Sequence, residues 1–268
     1  MSKDMTKLVL QLSDLHLFKT AQETMMKVNP AIALEKVITQ ICADCADNFP
    51  DLAVISGDLS QDGSLESYCL ASDLLKRLAI PCFALSGNHD EEKHLKRIFS
   101  TPEQTVIPFS STTWTLLGLN TQVKGATHGM IRNEEWQAVT TLIKSQPERN
   151  FALFMHHHLL PCGSSWLDKI NVHNAKLLLN FIKTHPNLRA VFMGHIHQEL
   201  AERYGSTRFY ATPAIGWQFA VHRQKFKLDD TMPGYRLIRF FEDGHVETSV
   251  RRIPFDAQFA PDHTVTGY

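Results

Sequence analysis

Short apolar runs that stop at a glycine, a serine or a polar cluster, and are followed at once by Asp, Asn or His, constrain this chain more than any other feature. Leu8–Leu12 runs into Ser13-Asp14-Leu15-His16, Leu52–Ile55 into Ser56-Gly57-Asp58, and Cys82–Leu85 into Ser86-Gly87-Asn88-His89-Asp90. Phe151–Met155 meets His156-His157-His158, and Ala190–Met193 meets Gly194-His195-Ile196-His197. Apolar runs of this length between turn signals read as strands. Further strands are expected at Thr115–Leu119, Phe209–Ala211, Tyr235–Phe240 and His245–Val250. Amphipathic segments lie between several of them, so the fold class is α/β, built in layers. Asn29-Pro30 supplies a cap and a first-turn proline for one helix, and Ser64 caps a second. Asn133 with Glu134 and Glu135 opens a third, and a fourth spans Asn174–Thr184 before Pro186 ends it.

With 268 residues, the chain is within reach of one large domain, and a single domain over 1–268 is expected. A 43% hydrophobic content supplies a core and excludes disorder as a default. The 27 Lys+Arg against 28 Asp+Glu leave a net charge of −1, which favours a small ligand over nucleic acid or an anionic membrane. The apolar stretch Leu8–Leu12 is too short for a signal-peptide core or a spanning helix. Five scattered cysteines, Cys42, Cys45, Cys69, Cys82 and Cys162, do not form a disulfide framework, and a cytoplasmic location is expected. Cys42 and Cys45 are read as packing residues of the first helix, since no second pair completes a zinc site.

Taken singly, the polar clusters are weak signals. Asp-x-His is often a turn aspartate beside an unrelated histidine, Gly-Asp is usually a turn, and Asn88 could simply occupy a left-handed loop position. Their recurrence at strand ends is what favours a joint duty. A glycine permits close backbone approach and can aim Asp58 across the strand ends, while Asp, Asn and His are the donors of a mixed oxygen and nitrogen metal site.

In this order, Asp14-x-His16, Gly57-Asp58, Gly87-Asn88-His89-Asp90, His156 and Gly194-His195-x-His197 resemble the calcineurin-like metallophosphoesterase family. The subgroup most similar is the class III bacterial cyclic-nucleotide phosphodiesterases, through Leu12 to Phe18, the triple histidine with Pro161-Cys162-Gly163, Gly194 to Glu199, Ala211 to Phe219 and Pro233 to Arg236. The resemblance implies a four-layer α-β-β-α sandwich of two mixed sheets, with 213–268 as a C-terminal extension completing the sheets. It implies one metal at Asp14, His16, Asp58 and His197 and another at Asp58, Asn88, His156 and His195, with Asp58 bridging. Fe²⁺ and Mn²⁺ are the implied ions, and Zn²⁺ also suits such donors.

The implied reaction opens 3′,5′-cyclic AMP to 5′-AMP by attack of a metal-bridged hydroxide, with His89 as proton donor to the leaving oxygen and Asp90 orienting it. His16, Asp58, Asn88, His89, His157 and His197 are expected to contact substrate, with His157 and His158 available for support. Phe18, Met25, Met26, Trp166 and Trp217 are candidate base-stacking residues, and Leu159–Val172 a rim or lid. The alternatives are a phosphoesterase for a nucleotide pyrophosphate, glycerophosphodiester, phosphoprotein or nucleic acid, and a non-catalytic metal-binding scaffold. The expected assembly is a monomer or homodimer, and the tail after Val250 is unassigned.

Overall fold

A computed structural model describes residues 6–99 and 105–267. The first sheet contains β1 (Lys7–Leu12), β2 (Leu52–Ser56), β3 (Cys82–Leu85), β12 (Gly234–Phe240) and β13 (Val246–Arg252) in the order β13-β12-β1-β2-β3. The second contains β4 (Val106–Ile107), β5 (Trp114–Leu119), β6 (Asn150–Met155), β7 (Leu188–Met193), β8 (Leu200–Tyr204) and β9 (Thr207–Ala211) in the order β4-β5-β6-β7-β9-β8. A small ribbon pairs β10 (Gln218–Phe219) with β11 (Leu228–Asp229). Both large sheets are mixed: β1 is parallel to β2 and antiparallel to β12, and β9 is parallel to β7 and antiparallel to β8.

The side-chain alternation of the strands explains the layering. Val9, Leu52, Val54, Phe83 and Leu85 of the first sheet share one core with Trp114, Leu116, Ala152, Phe154 and Phe192 of the second. Their strand neighbours Leu10, Leu12, Ala53, Ile55 and Ala84 turn the other way, onto a core with α1 (Pro30–Asp44) and α2 (Leu65–Leu75). On the far side, Leu117, Leu119, Leu153, Met155 and Val191 meet Val139 and Ile143 of α4 (Asn133–Ser145) and Leu178 and Ile182 of α5 (Lys176–Ile182). The period of two thus feeds an apolar layer on each face, which produces the α-β-β-α sandwich.

The predicted caps operate: Asn29 Oδ1 accepts from Ile32 N at 3.0 Å, and Ser64 Oγ from Ser67 N at 3.3 Å. The C-terminal residues complete the first sheet only, with β12 inserted beside β1; the second sheet is finished by residue 211. The last helix is shorter than expected. Asn174 is drawn out of it because its side-chain amide bonds Ile131 N at 2.8 Å and Ile131 O at 2.9 Å. An additional helix, α3 (Glu92–Phe99), follows the Asn88 elbow. Cys45 caps the end of α1 and is buried, whereas Cys42 is exposed.

A polar strip crosses the sandwich at the strand ends. Gln11 is fully buried, its amide donating to Ser56 Oγ at 2.9 Å and to Met193 O at 3.2 Å, while Thr212 Oγ1 donates to Gln11 Oε1 at 2.6 Å. Arg236 continues the strip by donating to Thr212 Oγ1 and to Ala211 O. The strip satisfies polar groups that would otherwise be stranded between the sheets, and it ties β1 and β2 to β7 directly beside the polar elbows.

Candidate metal centre

The five elbows converge on one point. Asp14 and His16 follow β1, Asp58 follows β2, Asn88 and His89 follow β3, His156 follows β6, and His195 and His197 follow β7. Asp14, His16, Asp58, His195 and His197 all have positive φ, between 48° and 69°. A non-glycine residue in the left-handed region costs roughly 1 kcal/mol or more, and such residues cluster where function over-determines the backbone. Asn88 is not among them, so its loop duty is not that of a left-handed turn residue.

Two glycines make the convergence possible. A Cβ on Gly57 would lie 2.7 Å from His156 Cγ and 2.9 Å from Gly87 N, and a Cβ on Gly87 would lie 2.7 Å from Asp58 Cγ. No side chain fits at either position without moving a candidate ligand.

The imidazoles are each held by one nitrogen. His16 Nδ1 is 2.7 Å from Gln61 Oε1, His197 Nδ1 2.7 Å from Trp217 O, His156 Nδ1 2.8 Å from Ser56 O, and His195 Nε2 3.1 Å from Ile170 O. Carbonyl oxygens only accept, so each of these nitrogens carries the proton and the opposite nitrogen presents a lone pair. Those lone-pair nitrogens face each other: His16 Nε2 and His197 Nε2 are 3.1 Å apart, and His195 Nδ1 and His156 Nε2 are 3.3 Å apart.

The oxygens complete two donor sets. His197 Nε2 is 3.3 Å from Asp14 Oδ1, and His16 Nε2 is 4.0 Å from Asp14 Oδ1 and 3.8 Å from Asp58 Oδ2. His156 Nε2 is 3.3 Å from Asp58 Oδ2 and 3.2 Å from Asn88 Oδ1. Asp58 therefore stands between the two sets.

Two carboxylates and several converging lone pairs, nearly all shielded from water, lack only positive charge. Burial pulls the His16 imidazole down to about 3 and takes His195 well below the usual histidine value. Burial also disfavours a charged His156, yet the Asp58 and Asp14 charges outweigh it and raise His156 to about 9. Without a cation, a proton on His156 Nε2 takes its place, and cation binding returns that nitrogen to a neutral lone-pair donor. Burial would raise Asp58, but His156, His89 and His16 hold it well below the ordinary carboxylate value. The set fits two divalent cations, with each histidine oriented by an oxygen behind it.

His89 and Asn88 are the half-buried members; Asp14, His16, Asp58, His156, His195 and His197 are all buried. Solvent therefore reaches the centre from the β3 elbow. His89 N donates to Asp58 Oδ1 at 2.9 Å, and its ring stands edge-on to His16 with centroids 5.1 Å apart.

Asp90 does not orient His89. It is buried and accepts from Gly87 N at 2.8 Å, Ser60 N at 3.1 Å, Leu59 N at 3.3 Å and Tyr68 Oη at 3.0 Å, tying the β2 and β3 elbows together. His157 is buried, with Nδ1 2.8 Å from Thr121 Oγ1 and its ring 4.6 Å from that of His195.

Trp217, expected as a stacking platform for a base, is buried and stacks on His16 at 4.9 Å; Trp166 packs edge-on against Phe219 and Phe226. Phe18 and Met25 are half-buried, whereas Met26 is buried in the first sheet's outer core. Leu159–Val172 is pinned rather than lid-like, with Val172 N bonded to His158 O and Ile170 O holding His195. Gln61, Tyr68 and the carbonyls behind the histidines belong to no sequence motif, so nothing in the sequence marks them.

Residues 7–199 match the family described as calcineurin-like phosphoesterase. A Pseudomonas aeruginosa protein named 3′,5′-cyclic adenosine monophosphate phosphodiesterase CpdA is 34% identical over 265 residues, 99% of this chain and 96% of the relative. Its Escherichia coli K12 namesake is 33% identical over 264 residues, covering 97% and 94%. Among solved structures, a dimetal phosphatase from Danio rerio superposes with a TM-score of 0.64 at 12% identity, covering 92% of this chain and 99% of that one, which supports the fold.

Proposed function

The chain belongs to the calcineurin-like phosphoesterase family, and from that premise we propose that it hydrolyses 3′,5′-cyclic AMP to 5′-AMP. The observation that carries the substrate is the near full-length identity with relatives named for that reaction, which spans every elbow of the centre.

Two divalent ions in this centre would supply Lewis-acid charge to the phosphoryl oxygens and an activated water. Mn²⁺ and Fe²⁺ are the proposed ions, since a donor set this rich in imidazole serves Mg²⁺ or Ca²⁺ poorly. Asp14, His16, Asp58 and His197 are assigned to one ion and Asp58, Asn88, His156 and His195 to the other. Gln61, Ser56, Trp217 and Ile170 fix the ring orientations through their oxygens, so little reorganisation accompanies loading.

His89 is the proposed acid. Its backbone is anchored to Asp58 and its half-buried ring lies where solvent and substrate enter, so it can pass a proton to the departing 3′-oxygen as the ring opens. With Oδ1 turned to His156, Asn88 offers its amide N–H groups as its donor end for a phosphoryl oxygen. The proposed location is the cytoplasm, supported by five free thiols. No helix among the described residues is long and apolar enough to cross a membrane.

The test is turnover of cyclic AMP beside bis-p-nitrophenyl phosphate, with Mn²⁺- or Fe²⁺-reconstituted protein and a metal-stripped control. Metal-dependent release of 5′-AMP is the expected result. Turnover of the generic diester alone would retain the chemistry and remove cyclic AMP as substrate.

A further inference from the structure

A second group of donors lies beside the first without sharing a residue with it. His158 ends the triple histidine after β6, and Cys162 and Asp168 lie on the loop that follows. One ligand atom from each falls within 4.8 Å of the others. His158 is 1% exposed, and neither of its ring nitrogens has a hydrogen-bond partner among the described residues. Its Nε2 is 3.6 Å from Asp168 Oδ1, too long for a hydrogen bond.

Leaving a buried imidazole unpartnered costs roughly 1–3 kcal/mol, so this arrangement calls for a missing partner. Among the described residues no side chain supplies it. Asp168 is already turned into the cluster, accepting from Cys162 N at 2.7 Å, and its own N is held by Ser164 O at 2.9 Å. With metal bonds of about 2.0–2.2 Å, nitrogen and oxygen donors on a tetrahedral zinc stand roughly 3.3–3.5 Å apart, close to the spacing of His158 and Asp168.

We propose that His158, Cys162 and Asp168 form a third cation site, separate from the dinuclear centre, that takes a borderline-soft ion such as Zn²⁺ with water as the fourth ligand. Among the described residues, the sulfur distinguishes it from the dinuclear centre, whose assigned ligands are all oxygen and nitrogen. Burial pushes the Cys162 thiol up to about 12, so it is a neutral thiol until a cation binds, and binding releases its proton to solvent.

The site acts as a staple. Asp168 opens the single helical turn Asp168–Ile170, and the carbonyl of Ile170 holds His195 Nε2. The His158 ring also lies nearly parallel to that of His195, with centroids 5.7 Å apart. A cation fixing the loop thereby fixes the orientation of a dinuclear ligand.

Cobalt reads the site directly, because only thiolate coordination adds a sulfur-to-cobalt charge-transfer band in the near ultraviolet. Full-length protein loaded with Mn²⁺ is titrated with Co²⁺. The wild type is expected to develop the band, and Cys162→Ser to lack it while keeping its circular dichroism. Asp168→Asn retains the sulfur and should bind Co²⁺ at least about 10-fold more weakly. A wild type with no band at saturating Co²⁺ overturns the proposal, as does a band that survives in Cys162→Ser. Unchanged Co²⁺ affinity in Asp168→Asn would remove Asp168 from the ligand set and overturn the site as drawn.

Discussion

The two sheets bring different chemistry to the same point. The first contributes every oxygen ligand assigned to the centre, Asp14, Asp58 and Asn88, together with His16 and His89; the second contributes imidazoles only, His156, His195 and His197. One sheet therefore carries the negative charge, and the other carries neutral lone pairs whose direction is set by carbonyls. Under the proposed assignment the two halves differ in their response to damage, since removing the bridging charge of Asp58 affects both cation positions and removing one nitrogen affects a single position.

The largest effect is expected at Asp58. Asp58→Ala should bind neither cation and lower turnover by more than the roughly 10⁴-fold upper range of a single acid-base group, whereas His156→Ala should keep one cation. Metal analysis of the two purified variants checks this, and equal stoichiometry in both would break the contrast between the halves. Next comes His89→Ala, which should retain both cations and lose roughly 10²–10⁴ in kcat. Loss of metal in that variant would make His89 a ligand instead of an acid.

A smaller loss is expected behind the ligands. Gln61→Leu removes the oxygen that orients His16, so metal affinity should fall roughly 10–100-fold while turnover at saturating metal is largely restored. A kcat deficit that excess Mn²⁺ does not repair would assign Gln61 a role beyond orientation.

The mildest test concerns pH and the clamp within the first sheet's half. Burial, with the Asp58 charge adding to it, pushes the Asp90 carboxyl up to about 7. The folded state then holds the proton more tightly than the unfolded chain, so Asp90's stabilisation is full below the unfolded value of about 4 and is lost as pH rises through 7. Denaturant melts of metal-free protein between pH 5 and 8 should show Asp90→Asn losing part of the wild-type decline. If the variant's decline instead matches the wild type's, Asp90 does not titrate in this range and the three backbone N–H donors hold it as a carboxylate.

The same contrast explains what could be read in advance. Strands such as Leu52–Ser56 and Asn150–Met155, buried on both faces, announce themselves as apolar runs, and glycine elbows mark where they end. By contrast, β8 is an edge strand with Ala201 and Glu202 exposed, and α3 buries Leu95 beneath a run of charges, so neither shows a clear apolar pattern. The donors of the centre were legible because their identities are chemical. Their orientation was not, because Ser56, Ile170 and Trp217 act through main-chain carbonyls that every residue possesses. Asp90 was misassigned for a related reason: its partners are three backbone N–H groups and a tyrosine brought from α2.

The pairing of β1 with β12 also has a consequence for how the protein is made. Lys7 lies opposite Phe240 and Gln11 opposite Arg236, so Lys7 to Gln11 of β1 wait during synthesis for partners that follow them by 225 to 233 residues. All seven assigned metal ligands have been synthesised by residue 197, yet one edge of β1 stays open until residues 234–240 arrive. An open edge invites pairing with other chains, and contacts this distant in sequence form slowly. Chains stopped before residue 234 would carry a complete set of ligands on an unfinished sheet, and their fate would be aggregation rather than weak activity.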